Sequence, residues 1–490
     1  MSEAIMLEAS PAVIDDGDRV QVHYCLDAAP VGKDSDIFIA AYSPSNVDVR
    51  LTAPISYKFI GDMKGVTPFD LVNMRDDYVF VLFEGGLAAP VELIRSNTVV
   101  FRNYNAPRAA RLMHTHQPEE MQISWSSQLS SFSPRVIYWA CGDNDLPSGA
   151  PHATAVASSH TWGKGDLCGA PATTTGYRDP GYVHTSTLSQ LIPGQKYCYR
   201  YGGDDEWSDT HRFLQPSRTY PFSAIAYGDE GQTTTDGTTI EQDMPYSRAT
   251  ADLTLSLLED DPTTQLVIHF GDISYARGYA ADWDIFTHMN RDVLSRAPYA
   301  VSVGNHEADY PHSSSYQNGS ESGGECGVPV QLQFPTPQPA LNKPWYWFSS
   351  GPLFVFMMST EHDYRMGSEQ YEYIKDTLMT KVDRSLTPWV IFTGHRPMYI
   401  DSTNNSTGNG DQTVAEELRQ HVEPLLLDAG GRAVDLTLWG HHHSYQRMCS
   451  SFAGESSFFL TSSARLIVGR THPSNLFSRC LYPAVGSVGR

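Results

Sequence analysis

Hydrophobic and polar positions alternate along the first part of the chain. Apolar and β-branched side chains form short runs, such as residues 20–24 and 78–83, and proline and glycine separate these runs. The spacing of an amphipathic helix is nearly absent before residue 105. Short strands joined by turns give this pattern, so it predicts a small β-sandwich over residues 1–105.

A second segment of the same kind follows a linker predicted at residues 103–108. Further strands are predicted at residues 121–125, 136–139 and 197–201, and a Pro-Gly turn leads into the last of them. The segment ends near Phe213. We therefore predict a second all-β domain over residues 106–216.

The pattern changes after Tyr220, where short apolar runs alternate with longer stretches of helical spacing, for example residues 250–259 and 368–380. The predicted strands are residues 222–227, 265–270, 299–303, 354–358, 389–393 and 436–439. Such alternation predicts an α/β domain, here over residues 217–448, followed by an atypical C-terminal tail at 449–490.

Composition and charge narrow the range of partners. The chain has 490 residues, 40% of them hydrophobic, which is more than one core usually holds. A formal charge of -22 is expected to repel nucleic acid polymers and anionic membranes. No stretch approaches the roughly 18 apolar residues of a membrane span. A protein this acidic would need metal ions to attract an anionic phosphate into its site.

Five predicted strands lead directly into a glycine followed by a residue that can bind a metal. In open α/β sheets ligands bind beyond the carboxyl ends of the strands, and we expect the glycine to let the backbone turn sharply there. Each match alone has an ordinary explanation, such as a turn or a hydrogen-bonded loop, but all five explanations would have to hold at once. The pattern therefore predicts a metal centre. The candidate ligands are Asp229, Asp272, Tyr275, Asn305, His395, His441 and His443.

The donor types suggest two unequal metal ions. A workable partition gives Asp229, Tyr275 and His443 to the first ion, His395, His441 and Asn305 to the second, and places Asp272 between them. Carboxylates and a phenolate favour a hard trivalent ion such as Fe³⁺, whereas imidazoles and an amide suit Zn²⁺, Mn²⁺ or Fe²⁺. Two ions about 3.5–4 Å apart would clamp a phosphoester for in-line attack by a metal-held hydroxide.

These blocks resemble the signature of the purple acid phosphatases, within the metallophosphoesterase superfamily. The motifs GDxG, GDxxY, GNH(D/E) and GHxH are intact at residues 228–231, 271–275, 304–307 and 440–443. In the remaining motif, VxxH, Phe392 replaces the valine and His395 is kept. Flanking segments are similar to the plant-type large members, so the resemblance covers residues from about 38 to 448.

The resemblance implies an acid phosphatase that hydrolyses a small phosphomonoester. It implies a catalytic β-sandwich flanked by helices with βαβ motifs, preceded by one or two immunoglobulin-like or fibronectin III-like domains. His306 matches the residue that holds phosphate and stabilises charge in the transition state, beside Asn305. Arg396, Tyr399 and His442 are weaker candidates for substrate contact.

The compartment and the assembly stay open on the sequence. The N-terminal residues show no basic segment followed by an apolar run, so no secretory signal is predicted, although the resemblance implies a secreted or vacuolar protein. Sequons at Asn318, Asn404 and Asn405 weakly favour a glycoprotein. The seven cysteines contain no CxxC pair, and their disulfide pairing cannot be deduced. A homodimer is one oligomeric state that the sequence leaves open.

The chain departs from the family pattern in two places. Smaller plant members carry a histidine pair about ten residues after the VxxH histidine, where this chain reads Ser-Thr-Asn-Asn-Ser at 402–406. Protonation of the leaving group therefore needs another source, and Glu361 and His362 are the candidates. After Met448 the chain no longer aligns with the family.

Three functions compete. The leading hypothesis is an acid phosphomonoesterase, and the second is a nucleotide pyrophosphatase or phosphodiesterase of the same family. The residues around 400–411 are expected to decide between a monoester and a bulky diester. The third hypothesis is a binding protein whose catalysis is impaired by the altered C-terminal region. The presence of all seven candidate ligands argues against this third reading.

Overall fold

The structure is a computed structural model. It describes residues 5–26, 36–129, 133–142, 153–204, 206–317, 319–402, 410–427, 434–448, 451–452 and 455–456. The three sequon asparagines, Cys449, Cys480 and most of the predicted tail at 449–490 lie outside these ranges. Within the described ranges every helix is too short or too polar to cross a lipid bilayer.

The first part of the chain folds into two facing antiparallel sheets, here called the first sandwich. One sheet has the strand order β1-β3-β6 and the other β5-β4-β7-β8, while β2 pairs with β9. The strands are β1 Met6–Ser10, β2 Val13–Ile14, β3 Arg19–Cys25, β4 Phe38–Tyr42, β5 Ser56–Phe59, β6 Lys64–Asp70, β7 Val79–Glu84, β8 Val91–Arg95 and β9 Val100–Phe101. Strand β7 is apolar on both faces because Phe80 enters the core between the sheets and Val81 enters a second cluster behind it.

The next strands form the second sandwich. Its strands are β10 Arg108–His114, β11 Met121–Ser127, β12 Arg135–Ala140, β13 Ala153–His160, β14 Tyr182–Leu188, β15 Lys196–Gly203, β16 Glu206–Trp207 and β17 His211–Leu214. They follow the order β10-β11-β14-β13-β12-β15-β16, with β17 also on β15. Strand β13 joins the two halves because residues 153–156 pair with β12 and residues 157–160 pair with β14. A short 3₁₀ helix, Lys164–Asp166, follows β13.

The α/β unit contains two sheets packed face to face and covered by helices. Its sheets have the orders β18-β19-β20 and β21-β22-β23-β24. The strands are β18 Ser223–Tyr227, β19 Thr264–Phe270, β20 Tyr299–Ser302, β21 Tyr346–Ser350, β22 Leu353–Met357, β23 Trp389–Thr393 and β24 Leu436–Leu438. The helices are α1 Ser247–Asp260, α2 Ala280–Met289, α3 Arg291–Leu294, α4 Asn305–Ala308, α5 Val328–Gln333, α6 Glu369–Thr380, α7 Asp411–His421 and α8 Glu423–Leu427. A two-residue pair, β25 Ser451–Phe452 with β26 Glu455–Ser456, ends the described chain.

Apolar alternation explains this layering. One face of each sheet, represented by Ile268 and Val355, enters the core between the two sheets. The other faces pack against helices: Val267 lies in one helix-covered cluster and Phe392 in another. Both faces of these strands are therefore buried, as expected for parallel strands. The predicted fold class, an α/β unit preceded by all-β structure, is confirmed.

The predicted linker at 103–108 is wrong at its end, because Arg108 already begins β10. Every residue of β10 is buried because the two faces of the strand pack into different cores. Leu112 lies in the core of the second sandwich, whereas Met113 joins a core of the α/β unit. Arg111 donates a hydrogen bond to the carbonyl oxygen of Gln333 at 2.8 Å. This strand therefore fastens the second sandwich to the α/β unit.

Ion pairs and disulfides add further connections. The two terminal guanidinium nitrogens of Arg75, in the first sandwich, each donate a hydrogen bond of 2.7 Å to the carboxylate of Asp284 in α2. A disulfide joins Cys168 to Cys326 across 158 residues, from the second sandwich region into the α/β unit. A second disulfide joins Cys141, directly after β12, to Cys198 in β15 of the second sandwich, across 57 residues. Sequence spacing alone did not predict either pair.

Candidate metal centre

The candidate ligands follow strands whose carboxyl ends lie at one edge of the α/β unit. Strands β18, β19 and β20 are parallel, and β22, β23 and β24 are parallel in the other sheet. The loops after β18, β19, β20, β23 and β24 carry Asp229, Asp272, Tyr275, Asn305, His395, His441 and His443. The structure brings these side chains together, as their contacts show.

The glycine after each strand provides space for the site. A Cβ on Gly304 would lie 2.2 Å from Oδ1 of Asp272, and a Cβ on Gly271 would lie 2.5 Å from Nδ1 of His395. Among these five glycines Gly271 alone has a positive φ, of 89°. The expectation that they let the chain turn sharply is therefore wrong at four of the five positions. They are needed because a side chain there would collide with the neighbouring groups.

The sharp turns are made by the candidate ligands themselves. Four of these residues have left-handed backbone conformations, with φ values of 60° for Asp229, 51° for Asp272, 54° for Tyr275 and 70° for His441. Such conformations cost about 1–3 kcal/mol each in residues other than glycine and cluster at functional sites. The strain indicates that the fold holds these side chains in place at some cost to stability.

One group of side chains meets around the hydroxyl of Tyr275. This oxygen lies 2.7 Å from Nε2 of His443 and donates a hydrogen bond of 3.2 Å to Oδ1 of Asp229. Nε2 of His443 lies 3.4 Å from the same Asp229 oxygen. These are the three side chains that the sequence assigned to the first metal.

A second group meets around the amide oxygen of Asn305. This oxygen lies 2.9 Å from Nε2 of His395 and 2.9 Å from Nδ1 of His441. Oδ2 of Asp272 lies 3.2 Å from Nε2 of His395. Ligand atoms of Asp272, His395 and His441 all fall within 4.8 Å of one another, a separation that one cation could fill.

The loop that carries Asp272 is held by Glu307. This wholly buried carboxylate accepts hydrogen bonds from three backbone N–H groups, those of Asp272 at 2.9 Å, Ile273 at 2.7 Å and Gly304 at 2.9 Å. The backbone N–H of His306 in turn donates to Oδ1 of Asp272 at 3.0 Å. Glu307 therefore holds the backbone of Asp272, and the N–H of His306 orients its carboxylate, before any ion binds.

The electrostatics of the site also fit cations. Burial, together with the charges of Asp272 and Asp229, raises the pKa of Tyr275 far above its ordinary value, so this phenol cannot ionise without a strong positive charge beside it. Burial opposes ionisation of Asp272, yet His395 and His306 keep its pKa below the usual range. Oxygen-rich donors on one side and imidazoles on the other match a hard and a borderline ion. The residues present therefore fit a two-metal centre.

His306 lies beside both groups. Its ring centroid is 4.5 Å from that of Tyr275, and its Nε2 is 3.8 Å from Oδ2 of Asp272. The side chain is 17% exposed, which leaves the ring open to a bound substrate. Burial lowers its pKa below the ordinary value.

The weaker candidates for substrate contact are placed differently. Arg396 is 3% exposed, and its Nε donates to the carboxylate of Glu361 at 2.9 Å. The hydroxyl of Tyr399 donates to Glu423 at 2.5 Å. In this structure the polar groups of Arg396 and Tyr399 are directed to internal partners, and their substrate role stays a prediction. His442 is exposed, with Nδ1 2.7 Å from the hydroxyl of Ser444.

Glu361 and His362 do not fit the role of proton donor. Glu361 is fully buried, and its carboxylate is ion-paired with Arg396. His362 is 6% exposed, its Nδ1 lies 2.8 Å from the hydroxyl of Ser359, and burial lowers its pKa to about 4. Neither side chain is open to a leaving group, so this expectation is wrong.

Sequence reasoning missed two carboxylates that contact the site. Glu307 stands in the GNH(D/E) motif, and its three backbone partners lie in two loops that only the fold brings together. Asp411 has an oxygen 3.4 Å from Nε2 of His441, and no motif marks it. The position of Glu307 two residues after Asn305 was an available signal; for Asp411 there was none.

Comparison with known proteins gives the family. Residues 107–215 match the model described as "Purple acid Phosphatase, N-terminal domain", and residues 207–445 match "Calcineurin-like phosphoesterase". The chain is 33% identical to "Probable inactive purple acid phosphatase 1" of Arabidopsis thaliana over 92% of this chain and 76% of the relative. It is 31% identical to "Nucleotide pyrophosphatase/phosphodiesterase" of Hordeum vulgare over 59% of this chain and 74% of that protein.

A solved structure agrees with these sequence relationships. The fold superposes on the purple acid phosphatase PPD1 from yellow lupin seeds with a TM-score of 0.84 and 30% identity. The match covers 93% of this chain and 83% of the lupin protein. Together with the matched family models and the arrangement of the site, it shows that the chain belongs to the purple acid phosphatase family, within the metallophosphoesterase superfamily.

Proposed function

We propose that this chain is a binuclear-metal acid phosphatase that hydrolyses phosphate monoesters. The observation that carries the proposal is the pair of contact groups, one around the Tyr275 hydroxyl and one around the Asn305 amide oxygen. Each group offers three donors for one ion, and Asp272 lies beside the second group with one carboxylate oxygen near His395 Nε2 and the other accepting from the N–H of His306. Membership of the family implies a binuclear metal centre.

The two donor groups support different ions. A first ion held by Asp229, Tyr275 and His443 is proposed to be Fe³⁺, because a buried phenol among carboxylates requires a hard, highly charged partner. A second ion held by His395, His441 and Asn305 is proposed to be Zn²⁺, Mn²⁺ or Fe²⁺. When bound, the two ions supply Lewis-acid activation of the phosphoryl group and of the attacking water.

The protein's own groups orient the substrate and stabilise its charge. His306 is proposed to donate a hydrogen bond from its ring to a phosphoryl oxygen, since its ring is partly open and packed on Tyr275. Its backbone N–H is already committed to Asp272, so the ring and the backbone have separate tasks. Charge stabilisation by one such donor is worth about 10²–10³ in rate.

A second candidate is a nucleotide pyrophosphatase or phosphodiesterase. The printed name of the Hordeum vulgare relative favours it. The names of several Arabidopsis thaliana relatives, which call them probable inactive phosphatases, favour a third candidate without catalysis. Against that third candidate, all seven candidate ligands are present and in contact as two groups.

Metal analysis combined with a substrate panel separates these candidates. We expect two metal ions per chain, a visible absorption band from the ferric–Tyr275 pair, and faster hydrolysis of an aryl monoester than of an aryl nucleotide diester. A clear preference for the diester would replace the monoesterase by the second candidate. Two bound metals with no turnover of either substrate would establish the non-catalytic candidate. An Asp272→Ala protein that kept both metals would contradict the ligand assignment.

A further inference from the structure

A carboxylate outside the family motifs contacts one of the proposed ligands. Asp411 is the first residue of α7, directly after Gly410. Its Oδ1 lies 3.4 Å from Nε2 of His441, and its Oδ2 accepts a hydrogen bond of 2.5 Å from the hydroxyl of Ser402. The side chain of Asp411 is 14% exposed, so solvent screens this contact only in part.

The two nitrogens of His441 face different partners. Nδ1 lies 2.9 Å from the amide oxygen of Asn305, inside the second donor group. Nε2 points the other way, to Asp411. The ring therefore has one nitrogen available to bind a metal and one available to donate a hydrogen bond to a carboxylate.

His395 shows the same arrangement with a different acceptor. Its Nε2 lies 2.9 Å from the Asn305 oxygen, and its Nδ1 lies 3.1 Å from the carbonyl oxygen of Phe270. Histidines that bind metals almost always donate their other ring N–H to a carbonyl or a carboxylate, which fixes the tautomer and makes the ligand more basic. Phe270 and Asp411 occupy these two positions.

The segment around Asp411 is tied down by its neighbour. Nε2 of Gln412 donates to the carbonyl oxygens of Ile400, at 3.0 Å, and Ser402, at 2.6 Å. The start of α7 is thereby joined to the chain that leaves the fourth ligand loop. This join holds the carboxylate of Asp411 at a set distance from His441.

We propose that Asp411 is a positioning residue for the second metal ion, accepting a hydrogen bond from Nε2–H of His441 so that Nδ1 is presented to the ion. The inference rests on the proposed two-metal function. It adds that affinity for the second ion, and not for the first, depends on a carboxylate that stands outside the family motifs.

The test compares Zn²⁺ binding by full-length wild-type, Asp411→Ala, Asp411→Asn and Ser402→Ala proteins, using competition with a chelator of known affinity. We expect Asp411→Ala to bind Zn²⁺ 10- to 100-fold more weakly at the second site, the usual effect of losing such a partner. Asp411→Asn keeps an acceptor oxygen and should lose less. Ser402→Ala should give the smallest loss because it only releases the carboxylate.

Two controls distinguish the loss of the Asp411–His441 contact from a general loss of structure. Glu416→Ala changes an exposed carboxylate of the same helix and should bind Zn²⁺ like the wild type. The visible band of the first site should be unchanged in every variant, since the candidate ligand that Asp411 contacts among the described residues, His441, belongs to the second group.

The outcomes separate this inference from the proposed function. Wild-type affinity in both Asp411 variants, or equal loss of both metals, would overturn the positioning role. If Asp411→Ala fails to fold, Asp411→Asn, which has nearly the same shape, decides. A wild-type protein that binds no second metal at all would instead reject the proposed function.

Discussion

At the scale of single residues, the site depends on positions that have no side chain. The space beside Gly304 is filled by Asp272 and His395, with the imaginary Cβ 2.2 Å from Oδ1 of Asp272 and 2.9 Å from Cδ2 of His395. The two polar groups proposed to hold metal therefore occupy the volume that any larger residue would need. The backbone shape alone would allow alanine.

Gly304→Ala should displace both of these groups. Forcing a methyl group into a filled site costs about 1–3 kcal/mol in stability, and here the shifted atoms are the ligands. We expect purified Gly304→Ala to lose metal on dialysis and to melt at a lower temperature than the wild type. Gly61→Ala is the matched control because its Cβ would meet nothing within 4 Å. Full metal content in Gly304→Ala would contradict the argument from space.

His306→Ala should separate catalysis from metal binding. The ring belongs to neither donor group, so we expect metal content and the visible band to be retained while kcat for an aryl monoester falls about 10²-fold. The backbone N–H that orients Asp272 is kept by alanine. Loss of metal together with activity would place His306 among the ligands instead.

Sequence spacing predicted that the candidate ligands lie close together because each stands two to five residues after the end of an apolar strand. It could not predict the partners of Arg396 and Glu361, which are 35 residues apart and are paired by folding. Nor could the sequence distinguish a glycine that is required for a left-handed backbone turn from one that is required because a side chain would collide with its neighbours. Only the neighbours of Gly304 and Gly271 decide this.

At the scale of elements, β10 is unusual because one strand serves two cores. Its even-numbered residue Leu112 packs within the second sandwich, and Met113, next to it, packs within the α/β unit. The bounds of the strands around the site were predicted to within one residue, as for β23 at Trp389–Thr393. The double role of β10 was not, because its sequence, Arg-Ala-Ala-Arg-Leu-Met-His, does not reveal what covers each face.

Met113→Asp should weaken the connection between these two units. The side chain is 1% exposed, and a carboxylate there would be buried without a partner. We expect a melting temperature well below that of the wild type and, in calorimetry, separate transitions in place of coupled unfolding. Val156→Asp, on the 80% exposed position of β13 in the same sandwich, should leave the melting curve nearly unchanged. Equal effects of the two substitutions would mean that β10 is not a shared strand.

At the scale of the whole molecule, buried carboxyl groups couple stability to pH. Glu325 lies where the region around Cys168 meets the α/β unit, accepting hydrogen bonds from the indole of Trp283 at 3.0 Å and the backbone of Gly278 at 3.0 Å. Burial raises its pKa to about 8. The folded protein therefore keeps this proton at pH values where the unfolded chain releases it.

The sign of the effect follows from that difference. Below about pH 4.3, the ordinary value for a glutamic acid, both states hold the proton and the contribution is complete. As the pH rises toward 8 the unfolded state is favoured by its release of the proton, so stability falls. We expect the melting temperature of chelator-treated wild type to fall more between pH 5 and about 8 than that of Glu325→Gln. Parallel pH curves for the two proteins would show that Glu325 does not titrate in this way.

The Cys168–Cys326 disulfide also divides the metal centre along the chain. Asp229, Tyr275 and Asn305 lie inside the loop that it closes, whereas His395, His441 and His443 come later. Each proposed metal set draws on both sides, so the second set is complete only after His441 has been made and the first only after His443. The sandwiches and the disulfide can form earlier, so uptake of the proposed ions would be a late step. A chain that has not yet bound these ions is therefore expected to carry the Cys168–Cys326 disulfide already.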